Sequence, residues 1–293
     1  MLKGWLIVNS FLNTGKYSVL SDMFVEAAKI NEVHLSVKTG AEVLLYMAEH
    51  KYSVKEKAEV DFCIFWDKDI KLAAELEAEG IPVFNSSKAI AYCDDKSLTY
   101  LELVHENIPM PLTVCSPLKY FDDGQIDESY LLGAANLLGY PLVIKECFGS
   151  FGQQVYLVSD WDELCDKVKM IAERPYILQK YIAKASGHDK RLQVVGDKVV
   201  AAMGRHNDHD FRANISNGGY MEACEVTKEE EALAIKTCKI LGLDFAGVDI
   251  LEGDESPLIC EVNSNAHFKN LYDFTGVNVA EIIIRYIKEK LGK

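Results

Sequence analysis

No apolar run in this chain of 293 residues reaches the roughly 18–20 residues that a membrane-spanning helix requires. The opening stretch, Met1-Leu2-Lys3-Gly4-Trp5-Leu6-Ile7-Val8-Asn9, carries one lysine but is too short in apolar length for a signal peptide. It reads instead as a first buried strand. Cations are scarce: 31 Lys and Arg stand against 45 Asp and Glu, a net charge of −14. A general nucleic-acid binder needs a basic face, so that class is excluded, though a local basic site is not. The surplus acid collects in Glu75-Leu76-Glu77-Ala78-Glu79 and Glu229-Glu230-Glu231, which read as solvated helix faces. None of the eight cysteines pairs at C-x-x-C spacing, which argues against a zinc site. Free thiols in apolar surroundings fit a reducing cytoplasm. The G-x-x-x-x-G-K-[ST] spacing of a Walker loop is missing; Thr14-Gly15-Lys16-Tyr17 lacks both the earlier glycine and the following Ser or Thr. No G-x-G-x-x-G follows the first strand, which disfavours a dinucleotide-binding oxidoreductase. No motif recurs, so this is not a repeat protein.

What is present is an ordinary globular composition in an alternating order of elements. A strand at residues 5–8, a loop from Asn9 to Lys16 and a helix from Val19 to Ile30 are expected. A strand at residues 33–37 follows. Phe62-Cys63-Ile64-Phe65-Trp66 is a continuous apolar run, the mark of a strand buried on both faces. Asp69 is placed to cap a helix through Leu76, stopped by Gly80. Ile81 to Phe84 is a short strand. Alternation of this kind predicts a parallel α/β lobe. The pattern then changes near Asn85. Asn85-Ser86-Ser87 caps one helix, and Asp94-Asp95-Lys96 opens another. Strands are expected at residues 140–145, 154–158, 176–182, 191–195, 198–203, 247–251 and 258–262. Helices are expected over 161–172, 228–241 and 279–291.

Three features carry chemistry. Lys145 ends a strand and is followed by Gly149-Ser150-Phe151-Gly152; a lysine and loop N–H groups can close over phosphates. A bare hairpin is the plainer reading of that spacing alone. Next, Gly247-Val248-Asp249-Ile250-Leu251 and Cys260-Glu261-Val262-Asn263 set Asp249, Glu261 and Asn263 on two apolar strands. Glu261 and Asn263 are two apart and face one side. Hard oxygen donors of this kind suit Mg²⁺ on nucleotide phosphates. Polar strand ends that merely serve turns are the alternative. Third, Lys190, Arg191, Arg205 and Arg212 concentrate positive charge in an acidic chain, which suggests an anionic ligand. His206 and His209 read as polar loop residues rather than metal ligands.

In this order the features resemble an ATP-grasp enzyme, most closely the RimK-type ligases, which add glutamate to a protein C-terminus. The likeness runs from about Asn85 onward. It is carried by Asp95-Lys96, Tyr140 to Lys145, Gln179-Lys180-Tyr181-Ile182, Gly187-His188-Asp189-Lys190-Arg191, Asp210-Phe211-Arg212-Ala213-Asn214 with Gly218-Gly219, Ala246 to Leu251, and Glu261-Val262-Asn263. After Asn263, RimK-type ligases continue with a small residue, Ser, Pro and Gly. Here Ser264-Asn265-Ala266-His267-Phe268-Lys269-Asn270 follows, and its Phe-Lys-Asn ending is similar to the LysX-type ligases, which act on an acidic carrier-protein tail.

The resemblance implies an α/β fold with α+β lobes. Residues 1–85 would form an N-terminal parallel α/β lobe, 86–182 a central lid lobe and 183–293 a C-terminal catalytic lobe. It implies ATP and Mg²⁺ (or Mn²⁺) as cofactors. Lys96 and Lys145, with Gly149, Ser150 and Gly152, would contact phosphates. Gln179, Tyr181 and Ile182 would line the adenine pocket, and Asp189 would hold the ribose. Asp249, Glu261 and Asn263 would bind the metal. Arg205 and Arg212 would steady the acyl phosphate or a substrate carboxylate, and Asn214 would help at the phosphate end. The implied activity is a carboxylate–amine ligation through an acyl phosphate. The partners would be a small-molecule, peptide or carrier-protein carboxylate and an amino acid, with no nucleic acid and no membrane; a homo-oligomeric state stays open. An ATP-grasp kinase that stops at phosphorylation, and a silent nucleotide-binding module, are the competing readings.

Overall fold

The computed structural model describes residues 1–12, 15–43, 45–48, 51–54 and 60–293. The chain begins with β1 (Leu2–Val8), α1 (Gly15–Ile30), β2 (Val33–Thr39), the short α2 (Gly40–Val43) and the hairpin strands β3 (Leu45–Ala48) and β4 (Lys51–Val54). β5 (Phe62–Trp66), α3 (Ile70–Ala78) and β6 (Val83–Phe84) follow. The expected loop from Asn9 to Lys16 lies partly outside the described residues, at 13 and 14, and Gly15 already opens α1. β2, β1, β5 and β6 form a parallel sheet in that order. β5 explains its own unbroken apolar sequence. Phe62, Ile64 and Trp66 enter one core, while Cys63 and Phe65 enter another on the opposite face. Asp69 caps α3 as expected, accepting from the Lys71 and Leu72 amides. Glu75 departs from the expected solvated face. It is buried on the inner side of α3, and burial raises its carboxyl above the ordinary value.

Next come α4 (Ser87–Asp94), α5 (Lys96–His105), β7 (Thr113–Cys115), α6 (Glu128–Leu138), β8 (Leu142–Glu146), β9 (Val155–Val158), α7 (Trp161–Ile171) and β10 (Tyr176–Lys180). The order β7-β10-β8-β9 is antiparallel and is backed by α6 and α7. α6 is not among the expected helices, although its signal is present. Leu131, Ala134, Ala135 and Leu138 are its buried residues, at helical spacing.

The remainder is β11 (His188–Val195), β12 (Lys198–His206), β13 (Tyr220–Glu222), α8 (Lys228–Leu241), β14 (Phe245–Glu252), β15 (Pro257–Asn263), α9 (Lys269–Thr275) and α10 (Val279–Lys290). β13-β12-β11-β14-β15 is an antiparallel sheet. α8 covers one face with Leu233, Ala234, Cys238 and Leu241. Thr227 and Glu230 form a capping box at its start, so Glu230 is buried and not part of a solvated run.

The largest core crosses from the first sheet to the last third of the chain. Leu6, Phe24 and Trp66 pack with Phe245, Phe268 and the inner face of α10. Trp66 stacks on Phe245 with ring centroids 5.5 Å apart. Asn85 pins the same junction and does not itself cap α4; the Ser86 hydroxyl does that. The fully buried Asn85 amide donates to the Phe245 and Ser264 carbonyls at 2.9 and 2.8 Å, and its oxygen accepts from the Asp244 and Phe245 amides. Asn85→Ala strands those backbone groups and is expected to cost about 2–3 kcal/mol in chemical unfolding. A change below about 0.5 kcal/mol would remove Asn85 from this role.

Candidate active site

The register of the C-terminal sheet brings the charged residues into two short rows. Arg191 on β11 lies opposite Asp249 on β14, and Asp249 lies opposite Glu261 on β15. Asp189 on β11 lies opposite Arg205 on β12. Directly opposed residues project to the same face of a sheet, so five charged groups meet on the side away from α8. Lys190 takes the other side and reaches Glu230 on α8 at 2.8 Å. It is therefore removed from the cationic cluster that the sequence suggested. Lys269, in the segment after Asn263, pairs with Asp273 along α9.

Arg191 forks Asp249 through Nε and Nη2, both at 2.7 Å. Arg205 forks Asp189 at 2.6 and 2.5 Å and adds a 2.8 Å contact to Asp249. Arg205 and Asp249 are almost wholly buried, at 3% and 2% exposure. Burial works to raise the Asp249 carboxyl, but the attraction of Arg191 and Arg205 outweighs it and holds the group below its ordinary value. At Asp189 burial prevails over Arg205 and raises the carboxyl. In this state Asp189 and Arg205 serve each other.

Two lysines arrive from the neighbouring layer. Asp95 caps α5 by accepting from the Ser97 amide at 2.8 Å, which fixes Lys96 in the first helical turn. Lys96 Nζ stands 3.4 Å from Glu261 and 3.4 Å from the Gly149 carbonyl. Lys145 Nζ donates to the Cys260 carbonyl at 3.4 Å and lies 3.6 Å from its sulfur. Burial would lower Lys145, yet Cys260, Tyr100 and Glu261 outweigh it and raise the group above the ordinary lysine value. Cys260 sits where the β14–β15 register slips. Such a bulge re-aims a side chain, here toward the cavity, and the Tyr100 hydroxyl anchors its carbonyl at 2.6 Å.

These groups line one cavity together with Gly149, Ser150, Gly152, Gln179, Tyr181, Ile182, Arg212 and Asn214. Gln179 is held by donating to the Thr113 hydroxyl at 2.9 Å. Val143, Gln154, His188, Leu251 and Cys260 also line it and are not among the expected residues. Val143 was within reach, since it is two residues from Lys145 on β8 and shares its face. Cys260 was not, because nothing local announces a bulge. His206 lies at the end of β12 rather than in a loop, stacked between His188 and Tyr220 and 2.7 Å from Glu222.

The glycine loop is closed over this cavity. Arg212 forks Asp210 and donates through Nη1 to the Gly152 and Val155 carbonyls at 2.7 and 3.2 Å. The Ser216 hydroxyl donates to the Phe151 carbonyl at 3.1 Å. Gly152 has φ +71°, and a Cβ there would fall 2.6 Å from Asn214 Oδ1. Only glycine allows this approach.

A second cavity, of about 750 Å³, opens between the first sheet and the C-terminal sheet. Asn9, Asp67, Arg191, Asn263 and His267 line it. Ser150, Asn214 and Glu261 belong to both cavities. Among the described residues no three His, Cys, Asp or Glu side chains cluster as a metal site. The expected donor set instead includes an amide. Asn263 faces Gly247 across the register, and its buried amide nitrogen has no hydrogen-bond partner among the described residues, a donor that an anionic oxygen could fill and a cation could not. The oxygens of Asp249, Glu261 and Asn263 are the hard donors that Mg²⁺ prefers, so the residues fit the ion. No helix among the described residues is long and apolar enough to cross a membrane.

Comparisons with known proteins show which family the chain belongs to. A β-citrylglutamate synthase B of Danio rerio is 33% identical over 224 residues, which is 75% of this chain and 54% of that protein. The chain thus spans about half the length of that relative. A probable alpha-L-glutamate ligase of Stutzerimonas stutzeri is 35% identical over 222 residues, 74% of this chain and 71% of that protein. The solved RimK-domain ATP-grasp protein of Sphaerobacter thermophilus superposes with a TM-score of 0.74 at 22% identity, covering 97% of this chain and 98% of that one. The RimK-like ATP-grasp domain model matches residues 93–287, the span that holds Lys96, Lys145, the glycine loop and the charged rows, and the chain belongs to that family.

Proposed function

We propose that the chain is an ATP-dependent carboxylate–amine ligase that works through an acyl phosphate. The observation that carries this reading is the junction of the two cavities at Ser150, Asn214 and Glu261. A nucleotide whose base lies near Gln179, Tyr181 and Ile182 would direct its phosphates past Lys96 and Lys145 to that junction. Its last phosphoryl group would then face the second cavity. Residues 1–85, 86–182 and 183–293 would act as the substrate lobe, the lid lobe and the catalytic lobe.

The substrate carboxylate attacks the γ-phosphorus, ADP leaves, an amine attacks the acyl phosphate, and inorganic phosphate leaves. Mg²⁺ or Mn²⁺ held by Asp249, Glu261 and Asn263 would supply neutralising charge for the phosphates. The chain's own part is positioning and electrostatics. Lys96 and Lys145 offer fixed positive charge. Asn214 presents an amide at the junction. Arg212 holds the glycine loop shut, which keeps water from the reactive intermediate. The relatives named above support an amino acid, glutamate first, as the amine, joined to a carboxylate on a small molecule, a peptide or a carrier-protein tail.

The test is ADP release across a panel of amino acids and small acids, with the products identified by mass spectrometry. A nucleotide-binding protein that releases no ADP with any pair would refute the ligase reading. In the same series Lys145→Ala is expected to weaken binding of a non-hydrolysable ATP analogue by about 10- to 100-fold. That is the effect of losing one charge-assisted contact of about 1.5–3 kcal/mol. Calorimetry showing unchanged affinity would take Lys145 out of the phosphate site.

A further inference from the structure

The two arginines on Asp249 are not equivalent. Arg205 spends Nε and Nη2 on Asp189 and is 4% exposed in its side chain. Arg191 is 15% exposed and makes its forked contact with Asp249 alone. Its side chain passes over Gly247, where an added Cβ would meet its Cδ and Nε at an ordinary 3.7 Å but would clash with the Ala266 Cβ at 2.5 Å. It lines the second cavity and an adjoining cavity of about 280 Å³ with Phe151, Asn214 and His267. Three N–H donors therefore sit on the two oxygens of the carboxylate that would receive a metal ion. A divalent cation entering there meets a guanidinium at contact distance.

We propose that Arg191 is a place-holder cation, which neutralises Asp249 until metal–nucleotide arrives and then turns into the second cavity to receive an anionic group of the second substrate. The inference rests on the ligase reading and on Asp249 as a metal ligand. The chemistry is an exchange of counterions. A buried carboxylate needs a positive partner at every stage, and the guanidinium fork matches a carboxylate or phosphate equally well. Metal–nucleotide then binds before the anionic substrate, because the fork is otherwise engaged. The substrate class is one with a carboxylate or phosphoryl group near the reacting centre.

The experiment is a Mn²⁺ titration of the full chain, read as free Mn²⁺ by electron paramagnetic resonance, with and without a non-hydrolysable ATP analogue. Arg191→Met keeps an unbranched apolar stem and removes the charge together with the guanidinium fork. Without nucleotide it is expected to bind Mn²⁺ at least about fivefold more tightly than the natural chain, and Arg191→Lys by a smaller factor. With the analogue bound, the difference should shrink, since the arginine has already left. Equal or weaker Mn²⁺ affinity in a folded Arg191→Met chain, checked by circular dichroism, overturns the place-holder role. Should that variant not fold, Arg191→Lys decides the matter in the same titration, and unchanged affinity overturns the role there. If no chain binds Mn²⁺ even with the analogue, the metal assignment itself falls and takes this inference with it. If all bind with the analogue and none differs without it, only the inference falls.

Discussion

Glu261→Gln is expected to lower turnover by about a thousandfold while the fold persists. The substitution keeps shape and removes one charge at the point where both cavities meet. Metal-held phosphates owe several kcal/mol of transition-state stabilisation to their ligands, and about 4 kcal/mol corresponds to about 10³ in rate. Among the described residues no three His, Cys, Asp or Glu side chains cluster to offer the ion a seat elsewhere. Stability should change little. The Glu261 side chain is partly exposed, and its pairing with Lys96 is 3.4 Å long; such a contact contributes about 1 kcal/mol or less. The measurement is ADP release at saturating substrates beside a thermal melt. Normal ADP release with Mg²⁺ would sink the metal assignment, and a collapsed melt would mean that the lost rate reports folding.

Arg205→Leu should have the largest effect on stability. It leaves Asp189 and Asp249, with side chains 11% and 2% exposed, without their shared counterion. Breaking a buried ion network by removing one partner costs about 3–5 kcal/mol. At roughly 2–4 °C per kcal/mol the melting temperature should fall by about 10 °C. The deficit should shrink as the pH is lowered, because protonating the stranded carboxyls removes the unpaired charge. A melt within about 2 °C of the natural chain would show that Asp189 and Asp249 tolerate burial without Arg205. Arg205→Lys keeps a charge but not the fork, and should lie between the two.

Much of this molecule is written locally. The run Phe62 to Trp66 could only be a strand buried on both faces. Asp69 and Asp95 sit where a helix start needs an acceptor, and each one caps. Glu261 and Asn263, two apart on an apolar strand, show by spacing that two oxygen donors share a face, whereas Lys145 before Gly149-Ser150-Phe151-Gly152 reads by spacing alone as a bare hairpin and becomes a candidate phosphate loop only beside the other motifs. These features are legible because a strand alternates every two residues and a cap acts within one turn.

What the sequence could not express is which charge answers which. Lys190 and Arg191 are adjacent in the chain, yet α8 claims the first and Asp249 the second. Arg205 and Arg212 read as substrate grips in the sequence; one is locked between Asp189 and Asp249, and the other fastens the glycine loop. Glu75 and Glu230 read as solvated and are buried. Each outcome depends on the register of strands far apart in sequence, on the slip at Cys260 and on the face that α8 covers. Register is set by hydrogen bonds and packing between distant segments, and burial raises the energy of an unpaired charge until a partner is found. The kinds of groups at this site were therefore fixed by the order of the residues, and their partners only by the tertiary structure.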